Sequence, residues 1–245
     1  MAARPTLRRT RFGIPALAGE IEGRIRAAPS ATVPALRAIR REYSGCLRDA
    51  SPRFVIGLAL RLSRARPNRH RFVAYELVRH HPTALSRLGA RELERLGRGI
   101  GSWDAVDCFA VYLAGQSWRR RRVADSLIHR WARSGDRWWR RAALVSTVPL
   151  NSRAQGGAGD PRRTLRVCRL LERDRDPMVA KALSWALREL AKRDAGAVRV
   201  YLGARAGVLP PLVLREVRNK LETGLKNPRR GRAGADGTAR RARSA

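Results

Sequence analysis

The amino-acid sequence predicts an all-α protein, and three observations support this fold class. Apolar residues recur at helical spacing through residues 33–226. Helix starts are marked by a capping side chain followed by proline, at Ser51-Pro52, Asp160-Pro161 and Asp176-Pro177. No segment shows the alternation of apolar and polar residues that is typical of a half-buried strand. The chain is therefore expected to fold through helix–helix packing alone.

The predicted helices follow one another closely along the chain. They span residues 34–48, 53–64, 69–81, 91–98, 102–113, 121–134, 137–148, 161–173, 177–192, 197–204 and 211–222. Their connections are short except for a glycine-rich loop at residues 151–159. About eleven helices are too many for a four-helix bundle, and they favour a curved, HEAT-like helical-repeat solenoid. No strict repeat is present, so this architecture rests on helix pairing, and its concave face is expected to be basic and to cradle a DNA duplex.

The composition divides the chain into three parts. Residues 1–32 mix Arg, Gly, Pro and Ala with little periodicity, and we expect a poorly ordered basic arm or a short helix there. Residues 33–226 form the predicted helical domain. Residues 227–245 contain six basic residues and one acidic residue, and this Arg-rich tail is expected to be disordered.

The charge balance points to a polyanionic partner. The 53 Lys and Arg residues outnumber the 20 Asp and Glu residues, which gives a net charge of +33, and only four of the 53 are lysines. A GC-rich genome would favour arginine but would not remove acidic residues. Nucleic acid is the default partner for such a charge, and an anionic membrane surface is the alternative. The guanidinium fork also suits phosphate contacts.

Several functional classes find no support in the sequence. Cys46, Cys108 and Cys168 are isolated, so neither a zinc site nor a disulfide framework is predicted, and the histidines show no ligand spacing. The absence of a GxxxxGK motif weighs against an NTPase. No secretory signal or membrane-spanning apolar run is recognisable. We therefore expect a cytoplasmic, nucleoid-associated protein that has no metal and no cofactor.

Three short segments each place a tryptophan one helical turn from a charged residue. They are Ser102-Trp103-Asp104-Ala105-Val106-Asp107, Arg137-Trp138-Trp139-Arg140-Arg141 and Ser184-Trp185-Ala186-Leu187-Arg188. The pairs Trp103/Asp107, Trp138/Arg141 and Trp185/Arg188 are three or four residues apart, so each pair shares one helix face. A carboxylate, aromatic rings and guanidinium groups in a basic protein suggest chemistry on nucleic acid.

Asp107 has two interpretations. It fits a helix-surface carboxylate that pairs with one of many arginines. It also fits a catalytic carboxylate, because glycosidic cleavage passes through an oxocarbenium-like transition state that a fixed negative charge stabilises. Trp103 and Trp185 could assist through their ring faces, although tryptophan on a helix is more often part of the core. Arg141 would then hold a phosphate beside the scissile nucleotide.

These segments resemble the DNA alkylation repair enzymes, the AlkD-like alkylpurine DNA glycosylases built from HEAT-like repeats. The resemblance runs from about residue 33 to 228 and is strongest in the segments 102–107, 138–142 and 181–192. It implies that Asp107 is the catalytic aspartate, that Trp103 and Trp185 contact the lesion, and that Arg141 is the site arginine. The family's aromatic residue from the N-terminal part has Tyr43 as its candidate here.

The resemblance also implies a reaction and a partner. The expected activity is hydrolytic release of cationic N3- or N7-alkylated purines, such as 3-methyladenine and 7-methylguanine, from duplex DNA by a monomeric, monofunctional glycosylase. The residues expected to contact DNA are Trp138, Trp139, Arg140, Lys181, Arg188, Arg215, Arg218, Lys220 and Lys226. The alternatives are a non-catalytic HEAT-like protein that recognises damaged or branched DNA, and a peptide-binding scaffold, which the net charge disfavours.

Overall fold

A computed structural model describes residues 13–28, 32–64 and 68–228 of the chain. The helices in these ranges are α1 (Ile14–Ala27), α2 (Val33–Cys46), α3 (Pro52–Leu62), α4 (Arg69–His80), α5 (Ala90–Gly97), α6 (Trp103–Phe109), α7 (Gly115–Arg119), α8 (Asp125–Ala132), α9 (Arg137–Val145), α10 (Val148–Asn151), α11 (Pro161–Leu171), α12 (Pro177–Ala191), α13 (Ala195–Arg205) and α14 (Pro211–Thr223). A π-helical segment, Ala110–Ala114, joins α6 to α7. Over the same ranges no strand is formed, which confirms the predicted all-α class.

The helices stack in a solenoid-like arrangement of two layers. Layer A consists of α2, α4, α6, α9, α12 and α14, and each of these helices packs against the next one in that series. Layer B contains α1, α3, α5, α8 and α11, with contacts between α1 and α3, α3 and α5, and α8 and α11. The pairs α3/α4, α8/α9 and α11/α12 join the two layers around the apolar core. The layer to which a residue belongs therefore determines the side of the molecule on which it lies.

The predicted capping residues begin their helices as expected. The Ser51 hydroxyl accepts a hydrogen bond from the Phe54 amide at 3.2 Å, and the Asp160 carboxylate accepts one from the Arg163 amide at 2.9 Å. Asp176 accepts from the amide of Met178 at 2.8 Å. These bonds satisfy amide groups that have no partner inside the helix. Local sequence signals therefore set three of the helix starts.

Residues 14–27, within the region expected to be a poorly ordered basic arm or a short helix, form the helix α1. Leu17, Ile21 and Ile25 lie one turn apart on its buried face, and α1 packs against α2 and α3. The Tyr43 hydroxyl on α2 donates a hydrogen bond to Glu20 at 2.9 Å. Tyr43 is fully buried in the core, and its candidacy as the family's aromatic residue stays a prediction. Residues 1–12 and 29–31, and residues 229–245 of the predicted disordered tail, lie outside the described ranges.

The largest differences from the predicted helix boundaries lie between residues 113 and 125. The helix expected at 102–113 continues through the π-helical segment to Arg119, and the helix expected to begin at residue 121 begins at Asp125. Trp118 is fully buried in α7, and its indole N–H donates to Asp125 at 2.7 Å across the turn. Arg121 occupies this turn with a positive φ of 58°. The arginine run therefore forms a connection, although its composition suits a helix.

None of the helices described is both long and apolar enough to cross a membrane.

Candidate functional site

Asp107, Arg141 and Met178 meet where three neighbouring helices of layer A pack together. The Arg141 guanidinium on α9 donates from Nε to Asp107 Oδ1 at 2.9 Å and from Nη2 to Asp107 Oδ2 at 2.7 Å. Its Nη1 donates to the Met178 carbonyl oxygen on α12 at 2.6 Å. This fork-on-fork pair fixes both the position and the plane of the carboxylate. The structure thus brings together two of the four residues predicted to be catalytic.

The burial of this ion pair differs between its partners. The Arg141 side chain is 7% exposed and the Asp107 side chain is 17% exposed, so solvent reaches only the carboxylate edge. Arg141 carries more N–H donors than these three bonds use. Protein groups hold its guanidinium in the structure, and its predicted role as a phosphate ligand beside the scissile nucleotide stays a prediction.

Burial raises the pKa of Asp107 above the ordinary range of an aspartate. The hydrogen bonds and positive charge of Arg141 oppose this effect, and the nearby charge of Asp104 adds to it. The bidentate geometry is that of an ionised carboxylate, because both oxygens accept from the guanidinium. The site therefore holds a desolvated negative charge, which interacts more strongly with a developing cation than a solvated one does.

The two tryptophans expected to contact the lesion differ in exposure. Trp103 opens α6, one turn before Asp107, and it is 55% exposed. Trp185 is half-buried on α12 and packs against the core with part of its ring. It lies seven residues after Met178, so the two share a helix face and are separated by about 10 Å along the axis. The exposed indole of Trp103 is therefore the accessible part of the site, and it lies beside the shielded carboxylate of Asp107.

Trp138 and Trp139 are largely accounted for by packing. Trp139 lies in an aromatic cluster, with ring centroids 4.8 Å from Trp131 and 6.0 Å from Phe109. The Arg137 guanidinium lies over the half-buried ring of Trp138 at 5.1 Å. Their expected contact with DNA stays a prediction.

The basic residues predicted to contact DNA fall into two groups. The first group is bonded within the protein: Arg140 to Asp174 at 2.7 Å, Arg188 to Ser184 at 3.1 Å, Lys226 to Glu216 at 3.2 Å, and Lys220 to the Gly224 carbonyl oxygen. The second group, Lys181, Arg215 and Arg218, is exposed on α12 and α14 and forms no ion pair with any residue the structure describes. These three side chains of layer A are free to receive a phosphate.

A cluster of positive charge around Glu76 was not predicted. The Glu76 side chain on α4 is 1% exposed, and it lies 3.3 Å from Arg40 Nε and 3.5 Å from His80 Nε2. Arg37 and Arg79 approach it at 3.8 and 3.9 Å. The i,i+3 and i,i+4 spacing of Arg79 and His80 was readable in the sequence, whereas the approach of the α2 arginines needs the fold.

This cluster also contacts the segment that follows Asp107. Arg79 also lies over the Tyr112 ring at 4.1 Å, on the π-helical segment that follows Asp107. Burial lowers the pKa of His80, and Arg40 lowers it further, whereas the Glu76 charge opposes both. His80 is therefore held neutral near physiological pH, and the cluster keeps a net positive charge from its three arginines.

The described residues contain no group of three His, Cys, Asp or Glu side chains that could hold a metal ion.

Two comparisons with known proteins bear on the family to which the chain belongs. Among curated proteins, no significant sequence match to the chain is found. A family model described as "DNA alkylation repair enzyme" matches residues 30–221, a range that covers layer A from the start of α2 to Leu221 in α14. The chain therefore belongs to the family of DNA alkylation repair enzymes.

Proposed function

We propose that the protein is a monofunctional DNA glycosylase that hydrolyses the N-glycosidic bond of cationic alkylpurines in duplex DNA. The observation that carries this proposal is the Asp107 carboxylate, which Arg141 holds with two hydrogen bonds in a shielded position beside the exposed Trp103. Family membership supports DNA alkylation repair in general, and the geometry of this carboxylate supports the reaction.

The chemistry needs little from the protein beyond a fixed negative charge. Alkylation at N3 or N7 gives the purine a positive charge, so the bond electrons neutralise the base as the C1′–N bond breaks. Positive charge then develops on the sugar, and Asp107 stabilises it without having to reorganise. A water molecule adds to C1′ and loses its proton, which leaves an abasic strand. No protonation of the leaving base is required.

Arg141 acts as a positioning residue in this proposal. Its guanidinium orients the carboxylate and counteracts the desolvation that raises the Asp107 pKa. The bond from Arg141 to the Met178 carbonyl oxygen ties the acid to α12, the helix that carries Trp185. The ring faces of Trp103 and Trp185 supply the negative potential that aromatic quadrupoles offer a cation.

A non-catalytic DNA-binding protein remains the second candidate function, and the same ion pair favours it. A carboxylate fully paired with a buried arginine is what a purely structural tie between α6 and α9 would also require. The two candidates differ in one measurable property, which is the release of a base.

The direct test is release of free 7-methylguanine from methylated duplex DNA by the purified protein. Asp104→Asn is the matched control for Asp107→Asn, because Asp104 lies one turn earlier on α6 and is exposed. We expect release by the wild type and by Asp104→Asn, and an intact abasic strand as product. Equal release by Asp107→Asn would contradict the proposed role.

The product also tests whether the enzyme is monofunctional. Strand cleavage normally requires an amine that forms a Schiff base with the sugar. Lys181, one turn before Trp185, is the lysine nearest to the site in sequence, and it is exposed. We expect no covalent adduct through Lys181 after borohydride treatment, and we expect uracil to persist in the duplex because a neutral base needs protonation to leave. A trapped adduct or efficient uracil release would overturn the mechanism.

A further inference from the structure

A groove of about 550 Å³ lies between α8 and α11, in layer B. Asp125 and His129 of α8 line it together with the residues of α11 that face them, which are Pro161, Arg162, Arg163, Leu165, Arg166 and Arg169. Asp107, Arg141 and Trp185 all belong to layer A helices. The groove is therefore separate from the candidate site and needs an explanation of its own.

Three arginines form an exposed row along the α11 wall of the groove. Arg162, Arg166 and Arg169 are spaced at i, i+4 and i+7, so they lie on one face of the helix. None of them forms an ion pair or a hydrogen bond with any residue in the described ranges. Like charges one turn apart destabilise a helix, so the row is costly to the isolated protein. An anion bound in the groove would remove this repulsion.

The acidic residue among those that line the groove does not pair with the row. The Asp125 carboxylate accepts the Trp118 indole N–H at 2.7 Å and forms no ion pair with any residue in the described ranges. Arg163, by contrast with the row, is buried, pairs with Asp160 at 2.6 Å and lies over the Trp118 ring at 5.0 Å. One arginine of α11 thus supports the fold, and the other three face solvent.

His129 lines the groove beside the row. Burial lowers the pKa of this imidazole, the charge of Asp125 raises it, and the charges of Arg166 and Arg133 lower it. An imidazole in this position can donate or accept a hydrogen bond.

We propose that this groove binds the phosphate backbone of a second DNA duplex while layer A holds the duplex under repair. The row extends for about 10 Å along α11, and duplex DNA carries a phosphate every 3.4 Å or so of axis on each strand, so roughly three phosphates lie within its reach. Guanidinium forks bind phosphate oxygens bidentately. The proposal rests on DNA as the partner of the proposed function, but it does not depend on base release.

A bridging experiment tests the second surface. An undamaged biotinylated duplex is immobilised on beads and loaded with a stoichiometric amount of full-length protein, and capture of a second, fluorescent duplex is measured against salt concentration. We expect capture by the wild type. Replacement of Arg162, Arg166 and Arg169 by Ala should lower the salt slope of second-duplex capture by about three units, one for each lost phosphate contact.

The matched control removes the same charge elsewhere. Arg53 on α3, Arg64 just after it and Arg91 on α5 are exposed on the layer B helices, and they form no ion pair with the described residues. Their triple Ala variant should bridge duplexes like the wild type and should also keep binding to the first duplex. Equal loss in both triple variants would mean that total charge, and not the groove, governs bridging, and it would overturn the proposal.

Two more measurements complete the test. Sedimentation of each protein without DNA should show the same oligomeric state. If the oligomeric state changed only in the α11 variant, the groove would be a protein–protein interface, and the proposal that it binds DNA would be rejected. Release of 7-methylguanine is recorded in parallel. If the α11 variant releases 7-methylguanine normally and still bridges duplexes, only the proposed role of the groove is overturned. If the α11 variant alone loses bridging but no protein releases 7-methylguanine, only the glycosylase assignment is overturned.

Discussion

Replacing Asp107 by Asn should slow base release by about 10²-fold or more, which corresponds to about 2.7 kcal/mol of transition-state stabilisation. The substitution removes a desolvated negative charge and leaves the shape of the side chain nearly unchanged. Duplex binding should persist and should strengthen slightly, because a charge that repels phosphate is gone. Binding and release are therefore expected to move in opposite directions.

The same substitution should also cost stability, and the structure sets the size of that cost. Arg141 is 7% exposed, so it loses its counter-charge in a buried position. Breaking a buried ion pair by removing one partner typically costs about 3–5 kcal/mol. A cost below this range is expected here, because desolvation already disfavours the ionised Asp107, Arg141 keeps its bond to the Met178 carbonyl oxygen, and the new Asn oxygen can still accept one hydrogen bond.

A double-mutant cycle separates the catalytic effect from the structural one. Arg141→Met alone leaves Asp107 partly buried without a partner, and it should both destabilise the protein and slow release. The double variant Asp107→Asn with Arg141→Met removes both charges, and stability should recover most of the loss. Base release should not recover, because the carboxylate itself is missing.

The measurements are single-turnover release of 7-methylguanine with enzyme in excess, at a temperature where every variant is folded, and urea unfolding of each protein. If the double variant regained base release together with stability, the carboxylate would be a structural tie and the catalytic reasoning would be refuted. Asp104→Asn serves as the control for a charge change on the same helix.

The pH profile gives an independent check on the state of the acid. Because burial raises the Asp107 pKa, the catalytically active ionised form should be lost on acidification at a higher pH than an ordinary aspartate would show. Removing the guanidinium in Arg141→Met should move this acidic limb to still higher pH. Because the pKa of Asp107 is higher in the folded protein than in the unfolded chain, the free energy of unfolding should fall as pH rises between these two pKa values. Asp107→Asn should abolish this contribution to the pH dependence of stability.

Three further outcomes are expected. Glu76→Ala leaves three arginines around a vacated buried position, and it should lower the free energy of unfolding by at least about 3 kcal/mol, measured by urea denaturation. Trp139→Ala should cost about 3–5 kcal/mol by emptying the aromatic cluster, whereas the exposed Trp103→Ala should change stability by less than about 0.5 kcal/mol and slow release; similar stabilities would contradict this contrast. Replacing Arg218 and Lys220 by Ala should flatten the salt slope of duplex binding by roughly one unit per lost contact, and an unchanged slope would place the duplex on another face.

Local signals in the sequence were sufficient for most helices because their causes are local. The Ser51, Asp160 and Asp176 caps each bond an amide two or three residues away, so a short window of sequence contains the whole interaction. The turn before Asp125 could not be placed in this way. Its position depends on the burial of Trp118 and on a bond across seven residues, whereas the intervening arginines favour helix by propensity alone.

The site shows the same division between local and non-local information. The family resemblance indicated Asp107 and Arg141 separately, but nothing in the spacing showed that they pair across 34 residues. The shared helix face of Trp138 and Arg141 also suggested a common role. In the structure Trp138 meets Arg137 at the surface, while Arg141 turns into the packed junction of three helices. The burial of a charged group depends on neighbouring helices, and their approach was not encoded in any short segment.

In the proposed mechanism, the position of Arg141 links catalysis to the stacking of the layer A helices. One guanidinium bonds the acid on α6 and a main-chain carbonyl on α12, so the carboxylate has a defined orientation only when α6, α9 and α12 are all docked. Local opening between α9 and α12 would free Arg141 and let the carboxylate rotate and become hydrated, which would weaken its interaction with a developing cation. A catalytic charge built in this way is preorganised by tertiary packing of layer A, and its strength therefore depends on core contacts that never touch the DNA.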